Sequence, residues 1–143
     1  MSSIESVADP YVDTIRNVCS AVTAHDVDRV LGYFDDGCVF VDGTTGEQGG
    51  KDSLIGFLDQ MYAMFPDYSP RVAAAHVDGD TIGVVYELTG TLNGPAGATT
   101  GKRLRWMATA FSTFAPGSLA IIRDVYCFDA AALEQQLLEA QQA

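Results

Sequence analysis

Asp42 closes the apolar run Cys38-Val39-Phe40-Val41 and is followed at once by Gly43-Thr44-Thr45-Gly46. Such a run reads as a half-buried strand. A carboxylate in phase with Cys38 and Phe40 points where those side chains point. If that place is a dry cavity, desolvation disfavours the charged form and raises the pKa. A weak base then becomes a usable general base near neutral pH. The same Asp-Gly pair is also a strong turn signal, so the sequence offers two readings of Asp42, a base or the first residue of a turn. His76 lies in the apolar stretch Ala73-Ala74-Ala75-His76-Val77. Its ordinary pKa suits proton transfer, although a lone histidine on an apolar strand is more often a packed residue. His25 and His76 are too far apart for a metal motif, and no cysteine or carboxylate spacing supplies one. The glycine-rich stretch Gly43–Gly50 lacks the Gly-Lys-Ser/Thr ending of a phosphate loop. There is no Gly-x-Ser-x-Gly elbow and no dinucleotide fingerprint. The expectation is therefore no metal and no cofactor.

The elements that must position these residues follow from periodicity. Asp9-Pro10 reads as an N-cap and a first-turn proline. Tyr11, Ile15, Val18, Cys19 and Val22 then recur on one helical face, to an end near Ala24-His25. Asp26 can cap a second helix with Val27, Val30, Leu31 and Phe34 on its face, stopped by Asp35-Asp36-Gly37. The strand ending in Asp42 follows, then a hairpin or bulged connection through Gly43–Gly50. Leu54, Phe57, Leu58, Met61, Tyr62 and Phe65 form the broad stripe of a third helix, which Pro66 ends. Four strands are expected next: Arg71 to Val77, Ile82 to Leu88, Leu104 to Phe114, and Leu119 to Phe128. Turns at Asp78-Gly79-Asp80 and Ala115-Pro116-Gly117-Ser118 and a loop at Asn93–Gly97 join them. Asp129 caps a closing helix with Leu133, Leu137 and Leu138 on one face. Helices first and antiparallel strands later predict an α+β fold. Its sheet should be strongly twisted, wrapping the helices into a cone with an interior pocket.

At 143 residues the chain suits a single domain over 1–143. Its 48% hydrophobic and 19% charged content is globular. A net charge of −11 argues against nucleic acid or anionic membrane as partner. Lys102, Arg103 and Arg105 cluster, and read as a solvated strand edge or a weak anion patch. Cys19, Cys38 and Cys127 are odd in number and sit in apolar segments, so they read as buried thiols in a reducing cytoplasm. The start MSSIESVADP has no signal-peptide pattern, and no apolar stretch is long enough to span a bilayer.

Trp106 is in phase with Leu104, Ala108 and Ala110, while Arg103 and Arg105 take the other face. That turns Trp106 inward, as a flat cavity wall or as plain core. Phe40, Phe57, Met61, Tyr62 and Tyr86 are further candidates for the lining, with packing as the alternative for each.

Several short motifs resemble the SnoaL-like polyketide cyclases of the nuclear transport factor 2-like superfamily. They are Phe65-Pro66-Asp67, the stretch from Gly79 to Thr91, Thr100 to Arg103, and Phe128 to Leu133 followed by Gln136-Leu137. The resemblance spans nearly the whole chain. Ala24 to Asp42 also resembles ketosteroid isomerase without a gap, and there the aspartate in the place of Asp42 is the base that moves a proton beside a carbonyl. Two departures matter. Val18 occupies the place of that enzyme's oxyanion-hole tyrosine, and Ala110 that of its hydrogen-bond-donating aspartate. Since the oxyanion hole supplies much of the rate, steroid isomerisation of that kind is not implied. SnoaL-like cyclases carry an acid/base aspartate on the last strand. The nearest match there is Tyr126, with Asp124 two residues earlier. Alternation puts Asp124, Tyr126 and Phe128 on one face. If that face is the pocket, Asp124 serves with Tyr126 as donor; if not, Asp124 partners Arg123 or Arg105 on the surface.

The expectation is thus a cofactor-independent isomerase or cyclase acting on an apolar, oxygenated, polyketide- or terpenoid-like small molecule. Asp42, Asp124 and Tyr126 are its candidate catalytic residues. Trp106, Phe40, Tyr62, His76, Tyr86, Phe57 and Met61 are its candidate substrate contacts. Dehydration or epoxide opening by an Asp42–Asp124 pair is one alternative. A non-catalytic ligand-binding or dimerising module is another, with Met107, Thr109 and Phe111 as a homodimer patch.

Overall fold

The structure, a computed structural model, describes residues 9–93 and 99–142. Helix α1 runs Pro10–Thr23. Asp9 Oδ1 accepts from the N–H groups of Tyr11 and Val12 at 2.8 and 3.3 Å, satisfying donors that a first turn leaves orphaned. Helix α2 is short, Val27–Gly32, with Asp26 accepting from Arg29 N at 3.2 Å. His25 joins the two with a left-handed φ of 58°. Its ring bonds the Pro66 carbonyl at 2.6 Å and stacks on Tyr62 at 3.8 Å, so the helix junction is tied to the end of the third helix.

Strand β1 runs Phe34–Asp42. Phe34, expected on the helix, instead begins this strand. The Asp35-Asp36-Gly37 segment, expected as a stop, is carried within the strand beside a register shift between Phe34 and Val39. Strand β2, Gln48–Gly49, folds back antiparallel on β1, which is the hairpin expected of the glycine-rich stretch. Helix α3, Lys51–Met64, buries Leu54, Leu58 and Met61. Strands β3 (Ser69–Asp78), β4 (Thr81–Asn93), β5 (Thr99–Phe114) and β6 (Ile121–Phe128) form an antiparallel meander, and helix α4 (Ala130–Gln142) closes the chain. Asp129 Oδ1 caps α4 through Ala132 N at 3.0 Å. The expected Asn93–Gly97 loop falls mostly outside the described residues, as does the start of the chain.

The six strands lie in the order β2-β1-β6-β5-β4-β3, with β1 and β6 parallel and the other pairs antiparallel. The sheet is curved, and with its four helices it makes the expected α+β cone. Alternation along β4 buries Ile82, Val84, Tyr86, Leu88 and Leu92. The same face of β5 buries Leu104, Trp106, Ala108, Ala110, Ser112 and Phe114. Gly90 belongs to this face because Phe65 needs the space. A Cβ there would stand 2.6 Å from Phe65 Cβ, and Phe65 is fully buried against Trp106, with ring centroids 4.9 Å apart. The outward face carries Arg103 and Arg105, ion-paired to Asp67 and Glu87, and the exposed side chains Met107 and Phe111.

His76 departs from expectation. β3 is an edge strand whose register against β4 shifts between Val72 and Ala74, and such a bulge re-aims the side chains beyond it. Residues 73–76 are all exposed, and His76 lines an open groove on the outside of the sheet with Gly83 and Phe111. It is not part of the interior.

Candidate active site

An interior cavity of about 60 Å³ lies between α1, α3 and the inner face of the sheet. Its wall is almost wholly apolar: Phe40 from β1, Phe57 and Leu58 from α3, and Val18, Cys19 and Val22 from α1. The polar groups come from Asp124 and from the phenols of Tyr68, Tyr86 and Tyr126.

Asp124 is placed by strand pairing. In the parallel β1–β6 pair its register partner is Phe40, and in the β5–β6 pair it is Ser112. Neighbours in register share a face, so Asp124 joins the inward row of both strands. It is 9% exposed. Ser112 Oγ donates to its Oδ1 at 3.3 Å, and no cation pairs with it among the described residues. Burial pushes its pKa up to about 7, while the Ser112 hydrogen bond pulls it down only partly. The surface alternative, a pairing with Arg123 or Arg105, is not what the structure contains.

Tyr126 lies two residues along the same face. Its hydroxyl is enclosed and has no partner in hydrogen-bond geometry. Tyr68 is nonetheless near enough for the two phenols to perturb each other, lowering Tyr68 and raising Tyr126. Burial dominates for Tyr68, Tyr86 and Tyr126 alike, and holds all three above the usual phenol range. All three stay protonated at neutral pH and can donate. The rings of Phe40, Phe57 and Tyr86 surround Tyr126 with centroids 5.2 to 6.3 Å away. An unpartnered buried hydroxyl is costly, and it marks a place where a ligand oxygen would be welcome.

Asp42 is in phase with Cys38 and Phe40, as its sequence position suggests, but it has a different task. Its Oδ1 accepts from the N–H groups of Thr44 and Thr45 at 2.8 and 3.2 Å, and its carbonyl accepts from Gly46 N at 2.7 Å. This is an aspartate turn closing the β1–β2 hairpin. Asp42 is half-buried and absent from the cavity wall. The strand ends at Asp42, so its side chain serves the turn rather than the interior.

Three expected substrate contacts also stand back from the cavity. Trp106 faces inward and is 2% exposed, but it packs on Phe65 and Tyr68, and Tyr68 forms the wall in its place. Met61 is core. Tyr62 bonds the Val22 carbonyl at 2.6 Å and belongs to the α1–α3 joint. Phe40, Phe57, Tyr86, Asp124 and Tyr126 do meet at the cavity. Sequence reasoning missed Tyr68, Cys19 and Pro70. Tyr68 follows the Phe65-Pro66-Asp67 break, where no period signals its direction.

Residues 15–122 match the family described as SnoaL-like domain. Among curated proteins none matches the sequence. Several solved structures share the fold. IdmH of Streptomyces antibioticus, provisionally named a polyketide cyclase, is 20% identical with a TM-score of 0.77, over 91% of this chain and 99% of that one. AclR of Streptomyces galilaeus, provisionally named a hydroxylase, is 15% identical with a TM-score of 0.76, over 93% and 82%. A Catenulispora acidiphila protein with a ketosteroid isomerase-like fold, solved with trimethylamine, is 14% identical with a TM-score of 0.72, over 86% and 90%.

Proposed function

We propose that this chain, which belongs to the SnoaL-like domain family, is a cofactor-independent isomerase or cyclase that uses Asp124 as its acid/base group. The observation that carries this reading is a buried carboxyl with a pKa of about 7, set in an apolar cavity beside an unpartnered tyrosine hydroxyl. A group that titrates near working pH is available in both forms. The proposed substrate is an apolar, oxygenated small molecule, a reading that the apolar wall and its few polar groups support.

In the forward step the Asp124 carboxylate takes a proton from a carbon beside a carbonyl. The C–H electron pair moves into the carbonyl, and the resulting enolate oxygen is held by the Tyr126 O–H. Preorganised donors of this kind lower the barrier without reorganising. Isomerisation follows if Asp124 returns its proton to a different carbon. Ring closure follows if the enolate carbon attacks a second carbonyl, whose oxygen then receives that proton. Tyr126 thereby takes the donor's part that Val18 and Ala110 cannot. Dehydration or epoxide opening by a carboxylate pair is less well supported, because Asp42 Oδ1 is committed to two backbone N–H groups.

Hydrogen exchange tests the reading without the true substrate. A panel of cyclic monoketones is incubated in D₂O with the protein, and loss of the α C–H signal is followed by NMR. The expected exchange rises with a midpoint near pH 7 and falls at least ~100-fold in Asp124→Asn. Wild-type exchange in Asp124→Asn would rule Asp124 out.

The narrow cavity favours a second reading, binding without turnover. In that case ligands bind and no exchange above background is seen. Exposed Met107 and Phe111 mark the face proposed for a homodimer, which sedimentation at two concentrations tests.

A further inference from the structure

Cys19 and Pro70 are walls of two spaces at once. They line the inner cavity, and they also line an open groove of about 410 Å³ between α1 and β3. The two spaces are therefore inner and outer sides of one seam. Cys19 and Ser20 lie three and four residues after Arg16, and Thr23 lies four and three after them, so the four form a single stripe of α1 along the groove. On the opposite side stand Pro70, Arg71 and Val72 of β3. A hydrogen bond of 3.0 Å between Thr23 Oγ1 and Ser69 Oγ joins the two sides.

The charge of this groove runs against that of the chain. The net charge is −11 with only 8 lysines and arginines, yet two arginines stand here. Arg71 donates to Glu87 at 3.0 Å. Arg16 is exposed and has no acidic partner among the described residues. A solvated helix arginine is the plain alternative. Against it stands the shared wall, which sets this guanidinium on the groove side of Cys19 and Pro70, the two residues that also bound the cavity. The inner cavity, at about 60 Å³, is much smaller than the groove, at about 410 Å³. It can take the end of a ligand and not the whole of an extended one.

We propose that the groove and the cavity are two halves of one substrate site, and that the substrate is an elongated molecule with a carboxylate at one end. Arg16 binds the carboxylate, the apolar chain passes between Cys19 and Pro70, and the oxygenated end reaches Asp124 and Tyr126. One uncommitted guanidinium suits a monoanion, since its fork matches the two oxygens of a carboxylate. The inner end of this assignment rests on the proposed function, and the outer end does not.

The test is isothermal titration of the full chain with 6-phenylhexanoate and with 6-phenylhexanamide, at low and high salt. The acid is expected to bind about tenfold more tightly than the amide at low salt, and the margin should shrink as salt is added. Arg16→Gln should abolish the margin, whereas Arg123→Gln, which removes the same charge from β6, should keep it. Asp124→Asn should also keep it, so a failed catalytic reading leaves this result standing. Equal affinity for acid and amide, a margin that survives Arg16→Gln, one lost equally in Arg123→Gln, or binding by neither compound overturns the proposal.

Discussion

Replacing Asp124 by asparagine should make the protein more stable, and more so as pH rises. In the unfolded chain the carboxyl ionises at its ordinary 3.8, and in the folded protein burial holds it protonated to about 7. A folded pKa raised in this way contributes stability at low pH, relative to the ionised state, that is lost as pH climbs from the unfolded value through the folded one. Above pH 7 the folded protein carries a buried charge with no cation to meet it. The gap between the two values, at about 1.4 kcal/mol per pH unit, makes the full cost about 4 kcal/mol. Asparagine has the same shape, keeps a partner for Ser112 Oγ and never ionises. Its advantage should grow from about 2 kcal/mol at pH 5 to about 4 kcal/mol at pH 8.5. Urea midpoints at the two pH values measure this, and the carboxyl carbon shift of labelled Asp124 gives its titration directly. A pH-independent effect of Asp124→Asn, or a carboxyl that titrates near 4, would refute the reasoning.

Three further substitutions separate structure from chemistry. Tyr126→Phe removes an unpartnered buried hydroxyl, so thermal unfolding should show unchanged or slightly raised stability, by up to about 1 kcal/mol, while exchange activity falls on the order of 100-fold. Asp42→Asn should keep both the hairpin and the exchange rate, because asparagine can hold the same turn; Asp42→Ala should lose about 1 kcal/mol in urea unfolding. Gly90→Ala places a methyl against Phe65 Cβ at 2.6 Å and should lower stability by about 2 kcal/mol through overpacking, read as a drop in the melting temperature.

Much of the fold is written in local pattern. The Asp9 and Asp26 caps, the α3 stripe ending at Pro66 and the unbroken alternation of β4 all depend on near neighbours, and all appear where the pattern puts them. Alternation on β6 put Asp124 and Tyr126 on one face, but left open whether that face was pocket or surface, which the pairing with β1 and β5 decides. Phase on β1 was equally right, yet it misled about Asp42. Alternation gives a direction, and it does not say that the chain turns at that residue and uses the oxygen itself. His76 was lost to a bulge, a one-residue irregularity that periodicity cannot register. Trp106 faced inward as read, but whether a buried ring lines a cavity depends on what packs over it. Here Phe65 and Tyr68 do, and both come from a different stretch of chain.

The parallel pairing of β1 with β6 has a consequence in time as well as in space. Phe40 and Asp124 meet only across that pair, and α3 and strands β3, β4 and β5 lie between them in sequence. Pairings of such long separation carry a large closure entropy and form late. If β1 docks on β6 only after the folding barrier, Asp124 is stripped of its last water at that step. The penalty for its charge should then appear in how fast the protein comes apart at high pH and hardly at all in how fast it folds.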